Sequence, residues 1–184
     1  MTERPLGDAT ISRIVELNTP DFEPFGFFPD TSPADWAPHL EWLQPKAMDP
    51  VTGNLYFAMQ SYVIRTKHHT ILVDSCIGNH KERPARANWN MKTDSAYTDG
   101  LAALKLRPED IDFVMCTHLH FDHVGWNTQL IDGRWVPTFP NATYLFSEKE
   151  YDYWKAEHAK ERLAHFDDSV MPIVEAKLAK MVTS

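Results

Sequence analysis

The sequence predicts an α/β fold, and three observations carry that expectation. Short apolar runs with strand character recur at residues 9–17, 55–65, 70–75, 111–117 and 142–146. Between and after them lie stretches with helical spacing, at residues 94–105, from Ser147 onward and from Ser169 onward. Strands and helices in alternation bury their apolar faces against each other as an α/β architecture. Finally, 184 residues with 43% hydrophobic and 12% aromatic content suffice for one domain with a substantial core and are too few for two ordinary ones.

Each element has its own justification. Residues 9–17 alternate well enough for a strand. Residues 18–50 set many prolines among Phe22, Phe25, Phe27, Phe28, Trp36 and Trp42. Proline at that density argues against regular structure while the aromatics need burial, so the segment reads as a strap over the core, a subunit contact, or a lid forming a pocket wall. Residues 55–65 and 70–75 form a hairpin through Thr66-Lys67-His68-His69, with both histidines as solvated turn residues. Residues 79–92, carrying Lys81, Arg83, Arg86, Lys92 and Trp89, read as a solvated polar connection or a pocket rim.

Asp94 or Ser95 caps a helix to about Lys105 whose Tyr97, Leu101 and Leu104 share a face. Ile111–Thr117 is a buried strand, and Asp132-Gly133 marks a second hairpin between residues 129–131 and 134–136. Ala142–Phe146 is a strand, after which Ser147 and Glu150 form a capping box opening a helix. That helix carries His158, with His165 near the same face. The neighbouring Glu157, Lys160, Glu161 and Arg162 make it a solvated face rather than a supplementary metal site. From Ser169, the residues Val170, Ile173, Val174, Leu178 and Met181, with Pro172 in the first turn, read as a final amphipathic helix.

The chemistry concentrates in His118-Leu119-His120-Phe121-Asp122-His123, directly after the 111–117 strand. In an extended loop alternate residues face the same way, so His118 and His120 can converge on one cation. Asp122 and His123 then turn toward a second position. Imidazole plus carboxylate is the donor set for zinc, with iron or manganese as alternatives. A single histidine beside a strand is usually a satisfied polar core residue. Three within six positions, with Gly125 closing the turn, would bury unsatisfied nitrogens unless something coordinates them. Asp74 ends the 70–75 strand, where its carboxylate either hydrogen-bonds a ligand histidine or caps a loop.

His-x-His-x-Asp-His after a strand resembles the signature of the metallo-β-lactamase fold hydrolases. The similarity extends to Leu106–Asp112 before the strand, Val124-Gly125-Trp126-Asn127 after the loop, and Ile71–Ser75 as an earlier strand. Asp132–Trp135 with Phe139–Ala142 resembles the branch containing N-acyl homoserine lactonases and related lactone and ester hydrolases. The resemblance spans roughly residues 50–180. It implies an αββα sandwich of which this chain is the N-terminal part, with the second half missing. Members complete the two metal sites with a later histidine in a Gly-His-rich loop, a bridging aspartate and a final histidine. Here no histidine follows His165 and no glycine follows Gly133, and that role is not assigned to His158 or His165. A truncated product, a piece of a longer chain and a half-domain completed by another polypeptide are the readings of this deficit.

What the resemblance implies is a dinuclear zinc hydrolase with His118, His120, Asp122 and His123 as ligands, opening a lactone or related ester by a metal-bound hydroxide. Asp122 would additionally handle a proton for the leaving oxygen. Two alternatives stand beside it: a catalytically incomplete metal-binding or interaction fragment, and a phosphoester, thioester or sulfate ester hydrolase of the same superfamily. Expected partners are a small-molecule ester or lactone and a second copy of the chain, associating through the exposed incomplete sandwich. The formal net charge of −8 and the lack of clustered Lys and Arg disfavour nucleic acid. No stretch approaches a membrane span, and Met1–Pro5 lacks a signal-peptide core. Cys76 and Cys116 read as small buried thiols, in keeping with a cytoplasmic setting.

Overall fold

A computed structural model describes residues 3–183. In chain order the elements are β1 (Arg4–Leu6), β2 (Ala9–Leu17), α1 (Pro24–Phe27), α2 (Pro33–Trp36), α3 (Leu40–Leu43), β3 (Met59–Arg65), β4 (Thr70–Val73), α4 (Ala96–Ala103), β5 (Phe113–Met115), β6 (Thr128–Ile131), β7 (Arg134–Pro137), β8 (Thr143–Ser147), α5 (Glu148–Lys160), α6 (Met171–Glu175) and β9 (Ala179–Val182). Two compact units result, one from residues 1–16 with 60–184 and one from residues 17–59.

The larger unit is α/β, as the sequence predicts. Its seven-stranded sheet runs β1-β2-β3-β4-β5-β8-β9. β1 and β2 pair antiparallel, as do β3 and β4. β4, β5, β8 and β9 are mutually parallel, in registers that set Val73 beside Met115, Met115 beside Leu145 and Leu145 beside Lys180. Parallel strands carry their loops out at a common carboxyl end, where ligand sites of open α/β sheets form. Asp74, the histidine loop and the start of α5 all leave the sheet at that end. Ile14, Leu72, Val114, Tyr144 and Phe146 belong to one core cluster with Tyr97, Leu101, Val124 and Trp126. Tyr97 and Trp126 stack with ring centroids 5.0 Å apart. β6 and β7 form a separate hairpin, turning on Asp132 and Gly133 with φ of 50° and 75° as the Asp-Gly pair predicts.

The polar connection at 79–92 departs from the sequence expectation. Lys81, Arg83, Trp89 and Lys92 are buried rather than solvated. Lys81 Nζ donates to Thr128 Oγ1 at 2.6 Å and to the Asp168 carbonyl at 2.8 Å, and lies 3.5 Å from the centroid of the Trp135 ring. Arg83 reaches the two Asp168 carboxylate oxygens at 2.9 and 3.0 Å. Lys92 pairs with Glu16 at 3.0 Å. Sequence reading counts these cations as surface because their buried partners, Asp168 and Glu16, lie far away along the chain.

The C-terminal segment also differs. The predicted helix from Ser169 ends at Glu175; a π turn at Phe166–Val170 precedes it, and Leu178 and Met181 belong to or adjoin strand β9. Apolar spacing there fits both periods, and pairing with β8 selects the strand. Ser147 makes no side-chain cap bond, so the expected capping box is not formed.

The 17–59 unit holds more regular structure than its prolines suggested. Pro24 and Pro33 begin α1 and α2, the position where a missing N–H costs nothing. Phe22, Phe27 and Phe57 cluster with centroids 4.7–5.5 Å apart, while Trp42 is largely exposed.

Candidate metal centre

The site begins where β4 and β5 end. Asp74 adopts φ 57°, a strained left-handed conformation for a residue with a side chain. Its amide donates to Met115 O at 3.0 Å, continuing the parallel ladder. Its carboxylate accepts from Thr117 N at 2.7 Å, from Thr117 Oγ1 at 2.8 Å and from His123 Nδ1 at 2.8 Å. Asp74 thus contacts a histidine of the loop, and the same oxygens cap the loop's entry. With Asp74 ionised, the His123 proton sits on Nδ1, leaving the lone pair on Nε2, 3.5 Å from Asp122 Oδ2.

The far end of the loop is zipped to residues 75–77. Ser75 N donates to His123 O at 2.7 Å, Gly125 N to Cys76 O at 2.8 Å and Trp126 N to Ser75 O at 2.7 Å. This close approach explains Gly125: a Cβ there would stand 1.8 Å from Ile77 O.

The loop brings its three imidazoles together. His118 and His120 have centroids 4.6 Å apart at 85°, and His118 and His123 3.8 Å apart at 48°. His123 thus lies closer to His118 than His120 does, rather than turning away to a separate position. Burial, followed by the charges of His123 and His120, lowers the His118 pKa. Burial also opposes charge on His123, but the hydrogen bond to Asp74 and the Asp122 and Asp74 charges outweigh it and raise that pKa. Adjacent rings pushed in opposite directions hold one proton more readily than two.

Among the described residues, no three His, Cys, Asp or Glu side chains are arranged to hold a metal ion. The donors therefore suit a divalent cation in kind, as clustered imidazoles with an oriented His123, but not in number as arranged. Other histidines lie elsewhere. His69 sits at the opposite strand end, 3.8 Å from Asp112. His158 accepts from Leu163 N at 3.0 Å and approaches Asp167 at 3.2 Å. His165 is buried, not on a solvated face, and packs on Trp154 and Phe121. Both cysteines are buried free thiols, and burial pushes Cys116 up to about 12. Sequence reading missed Trp154, whose ring stands 5.1 Å from His120; its i+4 spacing from Glu150 is the only trace in the sequence.

The family model of the metallo-β-lactamase superfamily matches residues 58–179. The chain belongs to that superfamily. Among its curated relatives, a probable metallo-hydrolase of Methanocaldococcus jannaschii is 44% identical over 54 residues, covering 29% of this chain and 22% of the relative. The N-acyl homoserine lactonase AttM of Agrobacterium fabrum is 35% identical over 60 residues, covering 33% of this chain and 19% of the relative. The match thus spans about a fifth of either relative's length. A solved probable metal-dependent hydrolase from Staphylococcus aureus superposes with TM-score 0.73 at 20% identity, over 98% of this chain and 61% of that one. The dizinc quorum-quenching lactonase AidC superposes with TM-score 0.65 at 19% identity, over 98% and 60%. These likenesses show that the superfamily fold is shared over nearly the whole of this chain.

Proposed function

We propose that this chain carries the first ligands of a dinuclear metal hydrolase that opens a lactone or related ester. The observation supporting this is the convergence of His118, His120 and His123 beside Asp74 at the carboxyl end of the parallel strands, in a chain of this superfamily. His118, His120, Asp122 and His123 together would supply the ligands, for zinc first and iron or manganese as alternatives. Bound cations there supply Lewis acidity and an activated water. Asp74 would keep the His123 proton on Nδ1 so that Nε2 stays available, and Asp122 would pass a proton to the departing oxygen. The lactone is favoured over phosphoester, thioester or sulfate ester by the AttM similarity. We further propose a cytoplasmic setting, in which two buried thiols stay reduced, and association of copies through the exposed incomplete sandwich.

A second reading has its own support. Because no three described donors are arranged to hold an ion, the chain as it stands would be a metal-binding fragment without turnover. Zinc content per chain, measured with hydrolysis of acyl lactones, aryl esters and phosphodiesters, separates the two. Two zincs with lactone turnover support the hydrolase; less than one zinc and no turnover support the fragment. Zinc binding undiminished in a His118→Ala/His120→Ala double variant would overturn both.

A further inference from the structure

Each imidazole of the loop needs something to aim it. His123 has Asp74, and His118 Nδ1 lies 3.1 Å from Thr117 Oγ1. The His120 ring is exposed and makes no hydrogen bond among the described residues. What flanks it is the Trp154 ring, 5.1 Å away at 68°, and the His118 ring.

Trp154 is itself held. Its Nε1 donates at 3.0 Å to Glu150 Oε2, one helical turn earlier on α5. The same oxygen accepts the Leu119 amide at 3.1 Å. Leu119 lies between two of the proposed ligands, and its side chain is fully buried in the core. The Leu119 N–H belongs to the His118–Leu119 peptide plane, so holding it, with the Leu119 side chain seated in the core, orients the backbone that carries His118 and leads on to His120. A carboxylate accepting from a backbone N–H and an indole N–H is charge-assisted at both bonds. The sequence offers this glutamate as the reciprocal half of a capping box. That use is absent, since Ser147 makes no cap bond and Oε2 is turned toward the loop.

We infer that Glu150 is a positioning residue for the histidine loop, clamping the Leu119 amide and bracing His120 through Trp154. The clamp is made by protein groups alone; its effect on metal rests on the reading of His118 and His120 as ligands. α5 leaves β8 directly, so Glu150 couples the third parallel strand to a loop that leaves the second.

The test compares wild type, Glu150→Ala, Glu150→Gln and Trp154→Phe in the 184-residue chain. In the metal-free protein, amide exchange at Leu119 and the His120 ring resonances report the clamp directly. Zinc affinity, by competition with a chromophoric chelator, reports its consequence. Glu150→Ala is expected to speed Leu119 exchange by about tenfold or more, to shift the His120 ring resonances, and to weaken zinc by roughly 10–100-fold. Glu150→Gln keeps an oxygen that can accept both donors and is expected to restore most of each. Trp154→Phe should leave Leu119 protected while shifting His120. Unchanged Leu119 exchange in Glu150→Ala overturns the inference, and so does a Glu150→Gln variant as impaired as Glu150→Ala. If wild type binds no zinc, the ligand reading fails by itself, and the exchange and ring resonances still decide the clamp.

Discussion

Gly125 shows how a single atom can matter beside the histidine loop. A methyl group there would have to occupy space already filled by the Ile77 carbonyl, 1.8 Å from the ideal Cβ, and backbone cannot yield as a flexible side chain can. Gly125→Ala is expected to lose about 3 kcal/mol or more, seen as a lower urea midpoint or failure to accumulate as soluble protein. His165 makes a different prediction. Burial, then the Arg83 charge, lower its pKa from 6.5 to about 4. The unfolded chain therefore takes up a proton first as pH falls. The stability associated with neutral His165 is full above about 6.5, declines between 6.5 and 4, and is flat below. Unfolding free energies at pH 7 and pH 4 should show a loss on the order of 2 kcal/mol in wild type that His165→Gln lacks. Sequence reading places His165 on a charged face because nothing local reports that Trp154 and Phe121 pack on its ring.

At the level of elements, the buried cluster of Lys81, Arg83 and Asp168 joins the 79–92 connection to the π turn at 166–170. Burial outweighs the Asp168 charge and lowers the Lys81 pKa to about 7, so this lysine sheds its proton far more readily than a surface one. Removing the shared acid leaves two buried cations unpaired. Asp168→Ala is expected to cost roughly 3–5 kcal/mol in thermal or urea unfolding, whereas Lys81→Met keeps the Arg83 pair and costs less. Equal costs for the two would show that Asp168 is not the common partner. Elements with a strong period were legible: β2, β3, β4, α4 and the β6–β7 hairpin fall close to where alternation, helical spacing and Asp-Gly place them. β9 was not, because its strand character comes from pairing with β8 rather than from its own residues. The Ser147–Glu150 spacing misled for the same kind of reason, since Glu150 takes one donor from the histidine loop, the Leu119 amide, and another, Trp154, from its own helix.

For the molecule as a whole, a ligand that binds only the folded state adds stability in proportion to its excess. With zinc held at a hundredfold over its dissociation constant, the gain is about 2.7 kcal/mol, a rise of roughly 5–10 °C for a chain of this size. Excess EDTA should reverse it, and His118→Ala/His120→Ala should abolish it; a melting temperature indifferent to zinc in wild type would remove the metal from the account. The sequence by itself determined the α/β class, the superfamily and the cluster of His118, His120, Asp122 and His123 in one loop, because strand alternation and a dense run of imidazoles are local features. Tertiary structure alone decided which cations are buried, which carboxylate aims His123, and that Glu150 reaches the loop. Those contacts join residues 31 to 87 positions apart, and only the order of parallel strands brings them together.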